Sequence, residues 1–402
     1  MLREPMKQPL EGIRVFDLTQ WGVGPWASMQ LGALGADVIH IERPDIDWAT
    51  LAASIPPTIN GTSIGYIAFN MNKRAFSLDL KSEAYRERAY RLLKTCDVFL
   101  ANMRPGVPER LGVGYEAVRE INPRIVYCEV TGWGESGPMS DLPGADQHAQ
   151  HVTGFASTSG LDGGRPEIYR HYTQADFTTG NYAAQAITMA LLARERTGKG
   201  QRVQVSMLRA ASAWQSARIG EFLQSGVLPA PRGSASQATA PDQAFECQDG
   251  EWIAVAVTSD AEWAALCELI GQPELREDER FRSNGSRLDH RHELADILTK
   301  VFGSRPSDYW AFYLERSGIH FGFPMTWKTL REHRQVRENA YLVDIDTAAW
   351  GTVTTGGAPW HLDRTPARWT PTPFPGLHDE EIMAELTSEA PAPLALVAGE
   401  GS

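Results

Sequence analysis

The stretch from Leu10 to Pro44 constrains the fold more than any other part of the chain. Leu10-Glu-Gly-Ile-Arg-Val-Phe-Asp-Leu-Thr-Gln-Trp-Gly-Val-Gly-Pro-Trp-Ala27, followed by Ile39-His-Ile-Glu-Arg-Pro44, reads strand, glycine loop, helix, strand. Inside it lies Gly22-x-Gly24-x-x-Ala27, with Glu42 at the end of the second strand, a pattern close to a dinucleotide-binding fingerprint. The mechanics differ. In that fingerprint the first glycine forms the tight turn directly after strand one. Here the strand Ile13 to Asp17 ends five residues before Gly22, and Leu18-Thr-Gln-Trp21 fills the gap with a bulky last residue. Pro25 fits the first helical turn, where its missing N–H costs little. The segment therefore predicts a βαβ unit with an elongated first loop. Such a loop can bind a ligand at the C-terminal end of the strand without requiring NAD. A plain βαβ unit with a glycine-loosened turn accounts for the same residues.

The alternation continues. After an irregular stretch, Asp45 to Gly61, Phe76 to Lys81 alternates as a strand, and Ser82 caps a helix from Glu83 to Lys94. Asp97 to Ala101 and Arg124 to Val130 are the next strands. This predicts an α/β fold, with a Rossmann-like parallel sheet in a large domain over residues 1–222. Residues 131–180 are loop-rich, the usual place for functional residues. Asn181 to Arg196 reads as an amphipathic helix stopped at Thr197-Gly-Lys-Gly200, and Arg202 to Met207 as a strand. Beyond residue 222 the pattern changes. Phe245 to Val257 is a hairpin with an Asp249-Gly250 turn. Ser259-Asp-Ala-Glu262 is a capping box opening a helix to Ile270, and helices follow near 288–302 and 308–316. These elements predict a smaller α+β domain over 223–325. Residues 326–387 are expected to return and pack on the large domain, with a Pro- and Thr-rich extended run at 359–375 and a last helix near 380–386. Residues 388–402 read as a flexible tail. No repeat of 20–50 residues is present.

Composition narrows the function classes. The 402 residues carry a formal net charge of −12, which disfavours nucleic acid and anionic membranes as partners. A polyanionic ligand still fits where basic residues cluster locally. Cys96, Cys128, Cys247 and Cys267 form no C-x-x-C pair, so no zinc ribbon or redox motif is expected, and reduced thiols in a cytoplasmic protein are. Met1 to Gln8 has no apolar h-region, and the longest apolar run, near Ile187 to Ala193, is far short of a membrane span.

Several residues are candidates for chemistry. Asp176, in Gln174-Ala-Asp-Phe-Thr-Thr-Gly180, lies just before the predicted Ala-rich helix, whose terminal N–H groups would hold it ionised. A simple N-cap accounts for an Asp there too, whereas covalent catalysis by a carboxylate is the functional alternative. His148 and His151 can share a helix face, with His171 as a third member. No complete metal-ligand set accompanies them, so no metal is expected. Arg43, Lys73, Arg74, Lys81, Arg104 and Arg110 lie at or beyond strand or loop ends. A parallel sheet would bring several of them to one edge as an anion site, although solvated charge is the default for each. No G-x-x-x-x-G-K-[ST] loop is present. Of the twelve tryptophans, Trp21, Trp26 and Trp133 fall in predicted loops or at a helix start, where stacking on a ring is possible and anchoring is commoner.

Taken in order, these motifs resemble class III CoA-transferases, the family of formyl-CoA:oxalate and carnitine CoA-transferases. The resemblance runs from about Leu10 to Leu386. It rests on Leu10 to Leu18, Gly35-Ala-Asp-Val-Ile-His-Ile-Glu-Arg-Pro44, Asn72-Lys-Arg74 and Leu78-Asp-Leu-Lys81. It continues through Arg104-Pro-Gly106, Arg110-Leu-Gly112, Thr131-Gly-Trp-Gly134 with Gly137-Pro138, Asp176 to Gly180, and Thr197-Gly-Lys-Gly-Gln201.

The resemblance implies that Asp176 attacks an acyl-CoA thioester to form a mixed anhydride and then an aspartyl-CoA thioester. Coenzyme A and acyl-CoA are substrates, and no tightly bound cofactor is implied. By position, Gly22 and Val23 match backbone that meets CoA, and Arg43 and Arg110 match basic residues near its phosphates. Leu78 to Lys81 and Asn102, Met103 and Arg104 match further CoA walls, and Pro143 to Asp146 the segment beside the thioester. The implied assembly is an interlocked dimer, either a homodimer or a heteromer with a related subunit. Two departures stand out. The family's glycine-rich lid corresponds to Arg232-Gly-Ser-Ala-Ser-Gln237, with one glycine. Trp21 and Gly22 replace polar residues of the oxalate enzymes' substrate loop, which points away from a small dicarboxylate and toward a bulkier, partly apolar or aromatic acid. Related racemases carry a His where Ala145 stands, and an Ala moves no proton. The alternatives are an acyl-CoA racemase or isomerase, an NAD(P) or flavin oxidoreductase, and a non-catalytic partner subunit.

Overall fold

The structure, a computed structural model, describes residues 7–44, 57–171, 173–323 and 325–388. Most of the expected irregular stretch (residues 45–56), the expected tail (from 389) and the first six residues lie outside these. The chain forms two compact units. One comprises residues up to 154, 169–226 and from 340 onward; the other comprises 155–168 and 227–339.

The first unit contains β1 Arg14–Leu18, α1 Val23–Ala33, β2 Asp37–Glu42, α2 Ile64–Phe69, β3 Lys73–Ser77, α3 Glu83–Thr95, β4 Val98–Ala101 and α4 Tyr115–Ile121. It continues with β5 Val126–Thr131, α5 Asp146–Val152, α6 Gln174–Thr197, β6 Gln201–Ser206, α7 Met207–Trp214 and α8 Ser216–Ser225. Six of its strands form a parallel sheet, in the order β3-β2-β1-β4-β5-β6. This is the expected α/β architecture with a Rossmann-like sheet. In register, Phe16 pairs with Ile39 on one side and Phe99 on the other. The strands are buried on both faces, as near-continuous apolar runs in a parallel sheet require. On one face Phe16, Phe99 and Tyr127 stack, with centroids 5.5 and 4.3 Å apart, against Leu92 and Leu93 of α3. On the other, Val15, Val38 and Val98 meet Ala27 and Leu31 of α1 and Ala183 and Ile187 of α6. Strand order reverses between β1 and β4, and doubly wound sheets bind ligands in the crevice at such a point.

Two elements differ from the sequence expectation for physical reasons. The strand expected at 76–81 runs from Lys73 to Ser77. Its start is concealed in sequence by a charge that the fold neutralises. Lys73 Nζ lies 3.0 Å from Asp17 Oδ2, and both side chains are fully buried. Asp17 also accepts hydrogen bonds from Thr19 Oγ1 at 2.5 Å and Ser28 Oγ at 2.7 Å, and His40 Nδ1 lies 3.2 Å away. Burial alone would raise the Asp17 pKa. Lys73 and His40 override it and hold the carboxyl well below the usual carboxylate range. The second difference is α6, which begins at Gln174 rather than near Asn181.

The edge strand β3 is covered by the end of the chain. Ala75 N donates to His378 Nδ1 and Ser77 N to Asp379 Oδ1, just before α12 Asp379–Thr387. Arg74 pairs with Asp37 and Glu385 at 2.7 Å each. Covering an edge removes its capacity to pair with another chain. A hairpin, β10 Leu342–Thr347 and β11 Gly351–Gly356, precedes this segment and has no counterpart in the sequence expectation.

The second unit contains β7 Asp242–Glu246, β8 Trp252–Ala256, α9 Asp260–Leu269, α10 Arg291–Phe302, α11 Ser307–Ser317 and β9 His320–Gly322. Its strands form an antiparallel β9-β8-β7 sheet around Phe245, Trp263, Phe281 and Phe302. Ser259 caps α9 by accepting from Glu262 N, and Gly271 stops the helix at φ +71°. Residues 155–168 join this unit through Gly233 N donating to Gly160 O at 2.9 Å and the Arg291–Asp162 pair.

Replacing Lys73 by Met leaves the Asp17 carboxylate buried without its cation and is expected to cost about 3–5 kcal/mol. Asp17→Asn combined with Lys73→Met should recover most of that loss. Denaturant-unfolding midpoints of the single and double variants check this, and equal losses in both would contradict it.

Candidate active site

The glycines of the opening loop serve close helix packing. A Cβ on Gly24 would lie 2.5 Å from the Thr19 side chain, and a Cβ on Gly180 of α6 would lie 2.7 Å from Val23 O of α1. Both positions therefore require glycine for α1 to approach its neighbours. Asp176 is one turn N-terminal to Gly180, on the same face of α6. Its carboxylate comes to rest against Gly22, where a Cβ would sit 3.1 Å from Asp176 Oδ2. Trp26 fixes the crossing. Its Nε1 donates to Asn181 Oδ1 at 2.8 Å, and its ring lies 4.8 Å from that of Phe177.

The elongated β1–α1 loop is held at the strand-order reversal. Asn102, just after β4, donates from Nδ2 to Gln20 O at 2.7 Å and accepts from Gln20 N at 2.8 Å. Trp21 adopts φ +68° and is 60% exposed. A bulky residue in the left-handed region is strained, and such strain concentrates at functional sites.

Asp176 does not cap its helix. Thr173 stands at the N-cap without a side-chain bond, and Asp146, the first residue of α5, supplies the acceptor instead. Asp146 Oδ1 takes Ala175 N at 2.7 Å and Asp176 N at 3.3 Å, while Gln150 Nε2 donates to its Oδ2 at 2.5 Å. The expectation that helix-terminal N–H groups hold Asp176 ionised is thereby corrected. Burial, and then the charge of Asp146, pushes the Asp176 carboxyl up to about 7. Burial also raises Asp146, against its hydrogen bonds from Gln150 and from the Ala175 and Asp176 backbone.

Two cavities meet at this carboxylate. A cleft of about 980 Å³ is lined by Trp21, Gly22, Val23, Asn102, Met103, Arg104, Arg110, Asp146 and Asp176, all singled out in the sequence. A smaller cavity of about 250 Å³ is walled by His40, Ser63, Gly65, Tyr66, Phe69 and Asn70. Gln20, Trp21, Gly22, Thr173 and Asp176 line both. Sequence reasoning missed Gln20, Thr173 and the α2 wall of the smaller cavity. Nothing in Ser63-Ile-Gly-Tyr-Ile-Ala-Phe69 marks it as more than a short packed helix.

Other sequence candidates fall elsewhere. Leu78 is buried in the core, Lys81 is exposed and Arg43 is partly buried; none of the three lines either cavity. Gln237 belongs to the second unit. Lys73 and Arg74 are committed to Asp17 and to Asp37 and Glu385, which leaves Arg104 and Arg110 as the basic residues lining the cleft. His148 and His151 lie on α5, where His151 Nδ1 is 2.7 Å from Gln147 O. Among the described residues no group of three or more His, Cys, Asp and Glu is placed to hold a metal, and no helix is long and apolar enough to cross a membrane.

Known proteins match this arrangement over nearly the whole chain. The sequence model described as CoA-transferase family III matches residues 10–380. Succinyl-CoA:glutarate CoA-transferase of Mus musculus is 32% identical, over 94% of this chain and 86% of its own. Formyl-CoA:oxalate CoA-transferase of Streptomyces coelicolor is 33% identical, over 93% and 94%. The crystal structure of a CaiB/BaiF family protein from Brucella suis superposes with a TM-score of 0.86 at 29% identity, covering 95% of this chain and 100% of that one. A glycine-loosened loop at the sheet's reversal point, a half-buried carboxylate against it and this matched length agree: the chain belongs to CoA-transferase family III.

Proposed function

We propose that this CoA-transferase works by covalent catalysis at Asp176. It moves CoA from an acyl-CoA donor to a carboxylic acid, as its family does. The observation that carries the proposal is the position of Asp176 where the large cleft and the small cavity join. In that position one carboxylate reaches both a thioester arriving along the cleft and an acid held in the cavity.

The chemistry follows in balanced steps. An Asp176 oxygen attacks the donor carbonyl, and CoA leaves as thiolate, giving an aspartyl–acyl anhydride. The thiolate attacks the Asp176 carbonyl carbon, releasing the donor acid and leaving an aspartyl-CoA thioester. The acceptor carboxylate attacks that thioester and expels CoA thiolate, giving a second aspartyl anhydride; the thiolate then attacks the acceptor's acyl carbon, which forms the new acyl-CoA and frees the Asp176 carboxylate. No metal or energy source enters. Both intermediates hydrolyse if water reaches them, so a closed, mostly apolar surround suits the reaction. Gly22, lacking a Cβ, leaves space beside Asp176 for the tetrahedral centres. In this scheme Arg104 and Arg110, which line the cleft, receive the CoA phosphates, and the family resemblance adds Arg43 and Lys81 to them. Val23, Asn102 and Met103 flank its pantetheine arm, and Asp146 lies by the thioester. Trp21 and the small cavity face the acid, which we take to be bulky or aromatic. Ala145 offers no proton-transfer group, which disfavours racemisation. The family resemblance further supports a dimer, and four buried unpaired cysteines suit a cytoplasmic location.

Asp176→Asn is expected to lower kcat for transfer by at least about 10³-fold. Retained activity would assign the chain to the partner-subunit role. Only ionised Asp176 attacks, so acylation by acyl-CoA should rise with pH, inflect near 7 and level off above it. Asp146→Asn keeps an acceptor for the α6 N–H groups and removes the charge, so its inflection should move to lower pH; stopped-flow release of CoA reads both profiles. The native pKa of Asp176 lies above its unfolded value, so its ionisation weakens the fold above pH 7 and not below pH 4. Asp176→Asn should therefore melt roughly 2–5 °C higher than wild type at pH 8, with the gap closing as pH falls toward 4.

A further inference from the structure

We infer that the smaller cavity takes the body of an apolar, ring-bearing monocarboxylic acid and turns away acids that carry a second carboxylate. The inference rests on the proposal that Asp176 exchanges CoA at the junction of the two cavities.

Size comes first. A cavity of about 150 Å³ holds one benzene molecule. The 250 Å³ here has room for a ring and a short chain leading to Asp176. Gly65 lines the cavity, and the nearest described atom to a Cβ placed there is Ser63 Oγ at 3.5 Å, so a larger side chain can be introduced at this wall without a clash. One wall is aromatic. Phe69 belongs to a three-ring cluster with Trp26 and Phe177, at centroid distances of 6.3 and 5.7 Å and edge-to-face angles. Such a surface gives a ring a preferred orientation as well as contact area.

Charge decides the rest. Among the described residues no Lys or Arg lines the cavity. The polar groups of its wall are turned to one another. Tyr66 OH donates to Glu42 Oε1 at 3.0 Å. Asn70 Nδ2 donates to Tyr66 O at 2.9 Å, and its Oδ1 accepts from Lys73 Nζ at 3.0 Å. His40 lies with Nδ1 3.2 Å from Asp17 and Nε2 3.8 Å from Glu42. Lys73 is fully buried and engaged by Asp17 and Asn70. Two carboxylates, Asp17 and Glu42, therefore stand behind this wall. A second carboxylate on the substrate would enter an apolar space where no Lys or Arg among the described lining residues pairs it and where His40 is already engaged by Asp17 and Glu42. Glutarate and oxalate, which appear in the names of two relatives, are both dicarboxylates. This chain's cavity has the opposite chemistry.

The test measures initial rates of transfer by the full-length chain, read by chromatography and mass spectrometry of the acyl-CoA products. Phenylacetyl-CoA with 3-phenylpropionate is compared with succinyl-CoA with glutarate. The expected kcat/KM for the aromatic pair exceeds that for the dicarboxylate pair by about 100-fold or more. Gly65→Leu should lower the ratio of 3-phenylpropionate to propionate turnover, both with acetyl-CoA as donor, by about tenfold. Glutarate turned over as well as 3-phenylpropionate, or an unchanged ratio in Gly65→Leu with folding intact by circular dichroism, overturns the inference and leaves CoA transfer standing. No transfer with any pair, and no CoA release that depends on Asp176, removes the underlying proposal along with it.

Discussion

The proposed chemistry depends on a carboxylate other than the proposed nucleophile. Asp146 closes the N-terminus of α6 by accepting the backbone N–H groups of Ala175 and Asp176. With those donors occupied, Asp176 gains nothing from the helix end that would hold its pKa down. It is left half-buried beside a negative charge, and its carboxyl is pushed up to about 7. A carboxylate buried this way is costly to a fold, and one that titrates near 7 is both available and reactive at ordinary pH.

The backbone positions this pair in two steps. The parallel sheet places the β1 and β4 loops side by side at the strand-order reversal, and Asn102 ties them together through Gln20. Gly24 and Gly180 then let α1 and α6 approach until Asp176 meets Gly22. The same approach divides the space. The polar cleft with Arg104 and Arg110 runs to one side of Asp176, and the apolar cavity against α2 to the other. In the proposed scheme one carboxylate thus serves two differently shaped substrates. The buried Asp17–Lys73 pair lies beneath the smaller cavity, so it anchors β3 and also leaves that cavity without a spare cation.

Much of this was legible in the sequence, and the reasons differ by element. The apolar strands and the extra residues before Gly22 pointed to a parallel sheet with a long first loop, because strand periodicity and glycine placement are local signals. Asp176, Arg104, Arg110 and Asn102 emerged from a chain-long series of motifs rather than from any single one. The start of β3 stayed hidden because Lys73 and Arg74 look solvent-exposed until distant carboxylates neutralise them. The early start of α6 stayed hidden because its cap comes from Asp146, on α5. The grouping of residues 155–168 with the second unit likewise rests on distant partners, Gly233 and Arg291.

The central claim is that Asp176 is acylated in each turnover. In the balanced scheme the acceptor acid leaves one of its oxygen atoms on Asp176 every time CoA is transferred. After many turnovers with an acceptor labelled with ¹⁸O in its carboxyl group, the proteolytic peptide containing Asp176 should gain mass stepwise, first one and then both oxygens. The peptide containing Asp146 should stay unlabelled. Active enzyme whose Asp176 peptide stays unlabelled would contradict the account.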